Sequence, residues 1–190
     1  MRQSLKQKEK RRRLLAAGRD LYGSQGFSET SVKDLVEHAG IAQGTFYLYY
    51  NNKEELLVQL RREETQKLVD LLSERLVHAS LGDGLDLMID TFFEVTKEQG
   101  TFINALHVGG ETALSRAEWQ EFYPQVAKVL EDWLWRVGGV DVAQFAMPIV
   151  TMLDRLTYAY LALEENNPEE ARIKVRSVLD KFFYKESAVQ

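Results

Sequence analysis

Cysteine is absent from all 190 residues, so the chain can hold no disulfide, no thiolate metal site and no thiol switch. That suits a reducing compartment, and the expected location is cytoplasmic. Histidine is scarce: His38, His78 and His107 share no metal-ligand spacing, so no metal site is expected. There is no glycine-rich phosphate loop. Gly23-Ser24-Gln25-Gly26 is one residue short of a nucleophile elbow and follows a helical pattern, where a hydrolase needs a strand. The chain is therefore not read as an enzyme, and neither a catalytic residue nor a cofactor is expected. Long apolar runs are missing as well. Val142–Leu153, the longest in the C-terminal half, has 12 residues closed by Asp141 and Asp154, short of the ~20 that span a bilayer. Met1–Arg13 is basic without a following apolar run, unlike a signal peptide. No membrane partner is expected. Strand-like alternation persists nowhere, which predicts an all-α fold.

What the chain has is apolar content of 45% and charged content of 28%, enough for a sizeable core in one large domain or two small ones. The net charge of −5 hides an asymmetry: residues 1–60 carry ten Lys/Arg against seven Asp/Glu, while the remainder holds fourteen against twenty-two. Seven of the positive charges fall within the first 13 residues. A basic arm on a small basic domain, followed by an acidic body, fits a DNA binder with a separate second module.

The periodicity predicts helices throughout. The first spans about Lys8 to Gln25 and stops at Gly26. The second opens at Thr30 or Ser31, where Ser31 and Asp34 form a capping box. A short third helix follows, and then a long fourth, capped by Asn52 and running towards Val77. After a break at Gly82-Asp83-Gly84 come helices over Leu85–Lys97 and Thr101–Val108, the latter closed by Gly109-Gly110. The next runs from Ser115, in a box with Glu118, to Val137, kinked or split by Pro124 near Tyr123. One more runs from Asp141 to about Glu164, kinked at Pro148. The last begins at Asn167-Pro168-Glu169-Glu170.

The segment Ala39-Gly40-Ile41-Ala42-Gln43-Gly44-Thr45-Phe46-Tyr47-Leu48-Tyr49-Tyr50-Asn51-Asn52-Lys53-Glu54-Glu55-Leu56 carries the most information. Gly40 can take the positive φ of a helix C-terminus, and Ile41 plugs the turn. Phe46 and Tyr50, four apart, share a buried face. Gln43, Gly44, Thr45, Tyr47 and Tyr49 are left to face outward. Read physically, this is the second half of a helix-turn-helix.

The segment resembles the DNA-binding domain of TetR-like transcriptional regulators: alanine-glycine-aliphatic, a polar pair, glycine-threonine, an aromatic-rich short helix, then lysine-glutamate. The close match covers Ala39–Leu56, with a looser one from about Lys10. By itself, Gln43 has an amide suited to an adenine edge, and Gly44 allows close approach to the groove. The resemblance implies DNA contacts at Thr45, Tyr47 and Tyr49, a phosphate grip by Lys53, and a contact to base or phosphate at Lys33. Thr30 and Ser31 could donate to phosphate as well as cap. The competing assignments are an aromatic core stripe for Tyr47 and Tyr49 and a solvated face for Lys33. Ala42 departs from the many relatives with serine or threonine there, since alanine can neither cap the helix nor hold a phosphate.

The expected organisation is thus a three-helix DNA-binding domain over 1–52, with its basic arm, and a larger helical ligand-binding and dimerisation domain over 53–190. The stripe Val175, Val178, Leu179, Phe182 and Phe183, with Phe145, Ile149 and Leu156, is expected to form a four-helix homodimer contact. Met88, Phe92, Phe102, His107, Trp119, Tyr123, Asp154 and Tyr158 are candidates for an apolar pocket, with His107 or Asp154 as polar anchor. The partners implied are a pseudo-palindromic double-stranded operator and a small hydrophobic or aromatic effector that releases a repressor from it. Two alternatives are a helix-turn-helix DNA binder without a small-molecule switch, and a helical protein whose basic arm docks on RNA or membrane.

Overall fold

The computed structural model of the chain describes residues 2–108, 116–138, 143–163 and 168–183, and among these it contains helices and no strand. Nine helices occur among the described residues: α1 (Arg2–Ser24), α2 (Val32–Ala39), α3 (Gln43–Phe46), α4 (Lys53–Leu76), α5 (Leu81–Gln99), α6 (Phe102–Val108), α7 (Tyr123–Gly138), α8 (Ala146–Tyr158) and α9 (Pro168–Phe183). They form two compact units, one of Met1–Glu64 with Gln99–Trp119, the other of Thr65–Glu98 with Gln120–Gln190.

In the first unit, α1 packs on α2 and α6 around Leu14, Leu35, Phe46, Leu56 and Leu60, all fully buried. Burial of one such side chain contributes ~1.5–3 kcal/mol. The basic arm belongs to this unit as helix. α1 begins at Arg2 rather than near Lys8, and Arg12 chelates Glu9 three residues back at 2.7 and 2.9 Å.

In the second unit, α7 and α8 enclose an apolar core with Leu85, Met88, Leu130, Trp133, Leu153 and Val175. The expected break at Gly82-Asp83-Gly84 is instead the first turns of α5. Ser80 caps them, accepting from the Asp83 amide at 3.2 Å and donating to its carboxylate at 2.7 Å. Gly84 is inside that helix because the Trp133 ring lies on it: a Cβ there would stand 2.1 Å from Cζ2. Pro124 does mark a division. A widened π-type turn, Glu118–Phe122, precedes α7, and Pro124 is the second residue of the regular helix. Pro148 produces no interior kink, since α8 starts at Ala146 and proline fits a first turn whose amides have no helical acceptor. The caps expected at Ser115, Asp141 and Asn167 and the Gly109-Gly110 break lie outside the described residues.

The expected dimer stripe divides. Val175, Leu179 and Ile149 are buried within this subunit, whereas Val178 is 45% exposed. The side chains of Phe182 and Phe183 lie outside the described residues.

Candidate nucleic-acid interface

The turn between α2 and α3 is fixed at both ends. Ser31, with extended backbone, accepts from the Asp34 amide at 3.2 Å, and its own amide donates to the Asp34 carboxylate at 2.8 Å. These bonds hold the Asp34 carboxyl below the usual carboxylate range: the Ser31 hydroxyl has the larger effect, its amide the next. At the other end Gly40 has φ 61° and ψ 45°, and its N–H reaches the carbonyls of Glu37 and Val36. The Ile41 amide donates to Val36 at 3.0 Å, completing the left-handed helix end. Ala42 stands at the start of α3 with no side-chain cap, the departure noted in the sequence.

α3 is a single turn, and burial sorts its residues. Phe46 and Tyr50 point inward with ring centroids 5.8 Å apart. Gln43 and Gly44 are exposed, Tyr47 is 54% exposed and Leu48 79% exposed. Thr45 is half-buried. Tyr49 is half-buried as well, and its hydroxyl donates to the Gln7 carbonyl of α1 at 3.1 Å, tying the basic start of α1 to this turn. Lys6, Lys8, Lys10 and Arg11 are exposed on that start. An open groove of about 530 Å³ runs beside it, lined by Arg11 and Arg62, by Glu54 and Glu55, and by Tyr49 and Tyr50.

The other expected contacts fare differently. Lys33 is exposed, its ammonium 3.8 Å from Glu37. Ser31 is exposed, though its hydroxyl also donates to Asp34 at 2.6 Å. Thr30 is buried; its hydroxyl donates to the Gly26 carbonyl at 2.7 Å and accepts from Gln25 at 3.2 Å. Lys53 turns its ammonium onto the backbone carbonyls of Phe27, Ser28 and Thr30. Leu48, to which the sequence analysis gave no role, faces outward as well. With Phe46 and Tyr50 on the buried side, a position two beyond Phe46 falls on the opposite face, and that spacing is the signal that could have found it.

The expected pocket residues are divided between the units. Met88, Phe92, Tyr123, Asp154 and Tyr158 are buried in the second, where the Tyr123 hydroxyl donates to Asp154 at 3.0 Å. Phe102 is buried in the first unit and His107 half-buried there. Trp119, also in the first unit, is 62% exposed and is not a core aromatic. Among the described residues no three His, Asp or Glu side chains converge where a metal ion could sit, and no helix is long and apolar enough to cross a membrane.

Comparison with known proteins agrees with the geometry. Residues 14–60 match the family model of bacterial regulatory proteins of the tetR family. The HTH-type transcriptional regulator YvdT of Bacillus subtilis is 29% identical over 121 residues, 63% of this chain and 62% of that protein. The regulator YdgC of the same organism is 26% identical over 189 residues, 90% of this chain and 91% of that protein. In fold, the chain is similar to the crystal structure of the transcriptional regulator FadR from Bacillus subtilis in complex with stearoyl-CoA. The TM-score is 0.74 at 19% identity, covering 94% of this chain and 98% of that one.

Proposed function

We propose, from the premise that this chain is a transcriptional regulator of the TetR family with its helix-turn-helix within residues 14–60, that it acts as a homodimeric repressor. In this reading a small, largely apolar effector releases it from a pseudo-palindromic operator in the cytoplasm. The observation that carries the DNA half is the sorting of the α3 turn. Phe46 and Tyr50 anchor it, while Gln43, Gly44, Tyr47 and Leu48 stand outward beside a basic helix start. An amide at Gln43 suits an adenine edge, Leu48 an apolar contact such as a thymine methyl, and Tyr47 a phosphate.

Two recognition turns related by a two-fold axis read half-sites ~34 Å apart or a small multiple of it. An effector that fits only another arrangement of the C-terminal helices disturbs that spacing through α4. A coupling of ~1–3 kcal/mol suffices for such a switch. That the similar FadR structure holds stearoyl-CoA supports an effector with a long apolar part; so does the burial of Met88, Phe92 and Tyr158 in the second unit, the residues proposed to meet it. One observation favours the switchless DNA binder: Trp119, expected in a pocket wall, is largely exposed.

Selection of the full-length protein on random duplexes tests the first half. A pseudo-palindromic motif is expected, and no enrichment overturns the reading. Gln43→Ala should relax preference at one position of each half-site, losing ~1–3 kcal/mol of discrimination. A uniform loss on all sequences would remove Gln43 from base readout. For the switch, a long-chain acyl-CoA should change tryptophan fluorescence saturably and weaken operator binding over the same concentrations. Fluorescence and affinity both unmoved across acyl chain lengths and aromatic acids would favour the switchless binder.

A further inference from the structure

Lys53, the first residue of α4, does something other than what its place in the motif implies. Its ammonium group donates to three backbone carbonyls of a single turn: Phe27 at 2.8 Å, Thr30 at 2.9 Å and Ser28 at 3.1 Å. It also lies 4.5 Å from the centroid of the Phe27 ring. An ammonium has three N–H donors, so a phosphate oxygen could reach this one only by displacing a carbonyl already bound to it.

The same turn grips α4 in return. The Tyr22 hydroxyl donates to the backbone carbonyl of Lys53 at 3.0 Å, and the Tyr22 and Phe27 rings meet edge to face at 5.3 Å. Burial, with the nearby Glu54 carboxylate, pushes the Tyr22 phenol far above its ordinary pKa, so it stays a donor. The turn ends at Thr30, whose hydroxyl is bound to the Gly26 carbonyl, and Thr30 is followed at once by Ser31, the cap of α2.

We infer that Lys53 is a positioning residue: its ammonium locks the first turn of α4 to the α1–α2 turn, so that α4 and the start of α2 shift as one block, and it makes no phosphate contact of its own. This rests on the reading of α2 and α3 as the DNA-binding surface. It means that any displacement of α4 reaches Ser31 and Lys33 directly, without passing through α3.

The test compares wild type, Lys53→Met and Lys53→Arg on a duplex selected by the wild type, at several salt concentrations. Methionine keeps an apolar stem and removes the donors. Arginine keeps the charge and binds phosphate at least as well as lysine, but its planar fork cannot aim three donors at carbonyls converging on one point. Both variants should bind roughly tenfold more weakly, as expected for losing hydrogen bonds to a charged group, with the slope of log affinity against log salt unchanged. A phosphate contact predicts otherwise: Lys53→Met lowers the slope by ~0.9 and Lys53→Arg retains wild-type affinity. Either of those results, or wild-type affinity in Lys53→Met, overturns the inference. Should both variants fail to fold, the wild type still decides. The Lys53 ammonium resonance should be sharp in the free protein and unmoved when DNA is added, and a DNA-induced shift overturns the inference. Failure of the DNA-binding reading looks different, since the wild type itself then selects no duplex.

Discussion

A Cβ built on Gly44 would meet no atom within 4 Å, and Gly44 is not among the glycines with positive φ, so neither packing nor backbone requires a glycine there. Gly40, by contrast, has a left-handed backbone and the Arg13 guanidinium 2.4 Å from a Cβ position. Nothing inside the subunit thus requires the missing side chain at Gly44, and close approach of the chain to a DNA groove is the reason proposed for it. Gly44→Ala is expected to leave thermal stability unchanged or slightly raised, since alanine is favoured over glycine in helices by ~0.5–1 kcal/mol. Binding to the selected duplex should weaken at the same time. Unaltered affinity in a duplex titration would show that the groove does not come that close.

At the scale of elements, α2 is held by its cap as much as by its apolar face. Ser31→Ala removes half of a reciprocal pair and should cost about 1 kcal/mol in denaturant unfolding. The Asp34 carboxyl is depressed in the folded state, so its contribution is present above the unfolded value of ~3.9 and disappears as pH falls through the lower, folded one. Glu55 behaves alike, held down by the backbone amide of Asn51 and then its side chain. The protection of the amides at the start of α2, taken as exchange relative to an unstructured peptide at the same pH, should therefore stay constant from neutral pH to about 4 and fall only below it, while Asp34→Asn should be less protected throughout; a fall near pH 6 would implicate another group. α5 illustrates a different constraint. Asp86, Asp90, Glu94 and Glu98 recur every four residues, the first two paired with Arg176 and Arg172 of α9, the others with Arg75 and Lys67 of α4. Exposed pairs of this kind add little stability, ~0–1 kcal/mol each, but two in succession define the antiparallel register of α5 and α9.

For the whole molecule the decisive surface is the one a second copy would cover. Val175 and Leu179 fill the core of the second unit, while Ile173 and Val178 on the same helix are exposed to 61% and 45%. An apolar contact between copies through α9 must use the outward pair. Ile173→Glu with Val178→Glu should give a monomer of nearly unchanged melting temperature that loses specific operator binding, as read by sedimentation and duplex titration. Val175→Glu should instead unfold the subunit, because it buries an unpaired charge. A dimer that survives the double substitution excludes this face of α9.

The all-α class, the helix-turn-helix and the Ser31 cap were legible in the sequence because each depends on neighbours a few residues apart: a period of 3.6, a glycine at a left-handed turn, a box of four residues. So was the split between the buried Phe46 and Tyr50 and the exposed Gln43, Gly44 and Tyr47, although Thr45 and Tyr49, expected outward with them, are half-buried. What the sequence could not determine is where long-range partners fall. Thr30 reads as a phosphate donor until Gly26 and Gln25 are seen to satisfy it. Lys53 reads as a free surface ammonium until the carbonyls of Phe27, Ser28 and Thr30, more than twenty positions earlier, converge on it. The stripe of α9 reads as one apolar face until the core takes Val175 and Leu179 and leaves Val178 outside. A side chain's local pattern fixes the helix it joins, but its partners are chosen by which other helices bring unsatisfied groups within three ångströms, and only the tertiary structure decides that.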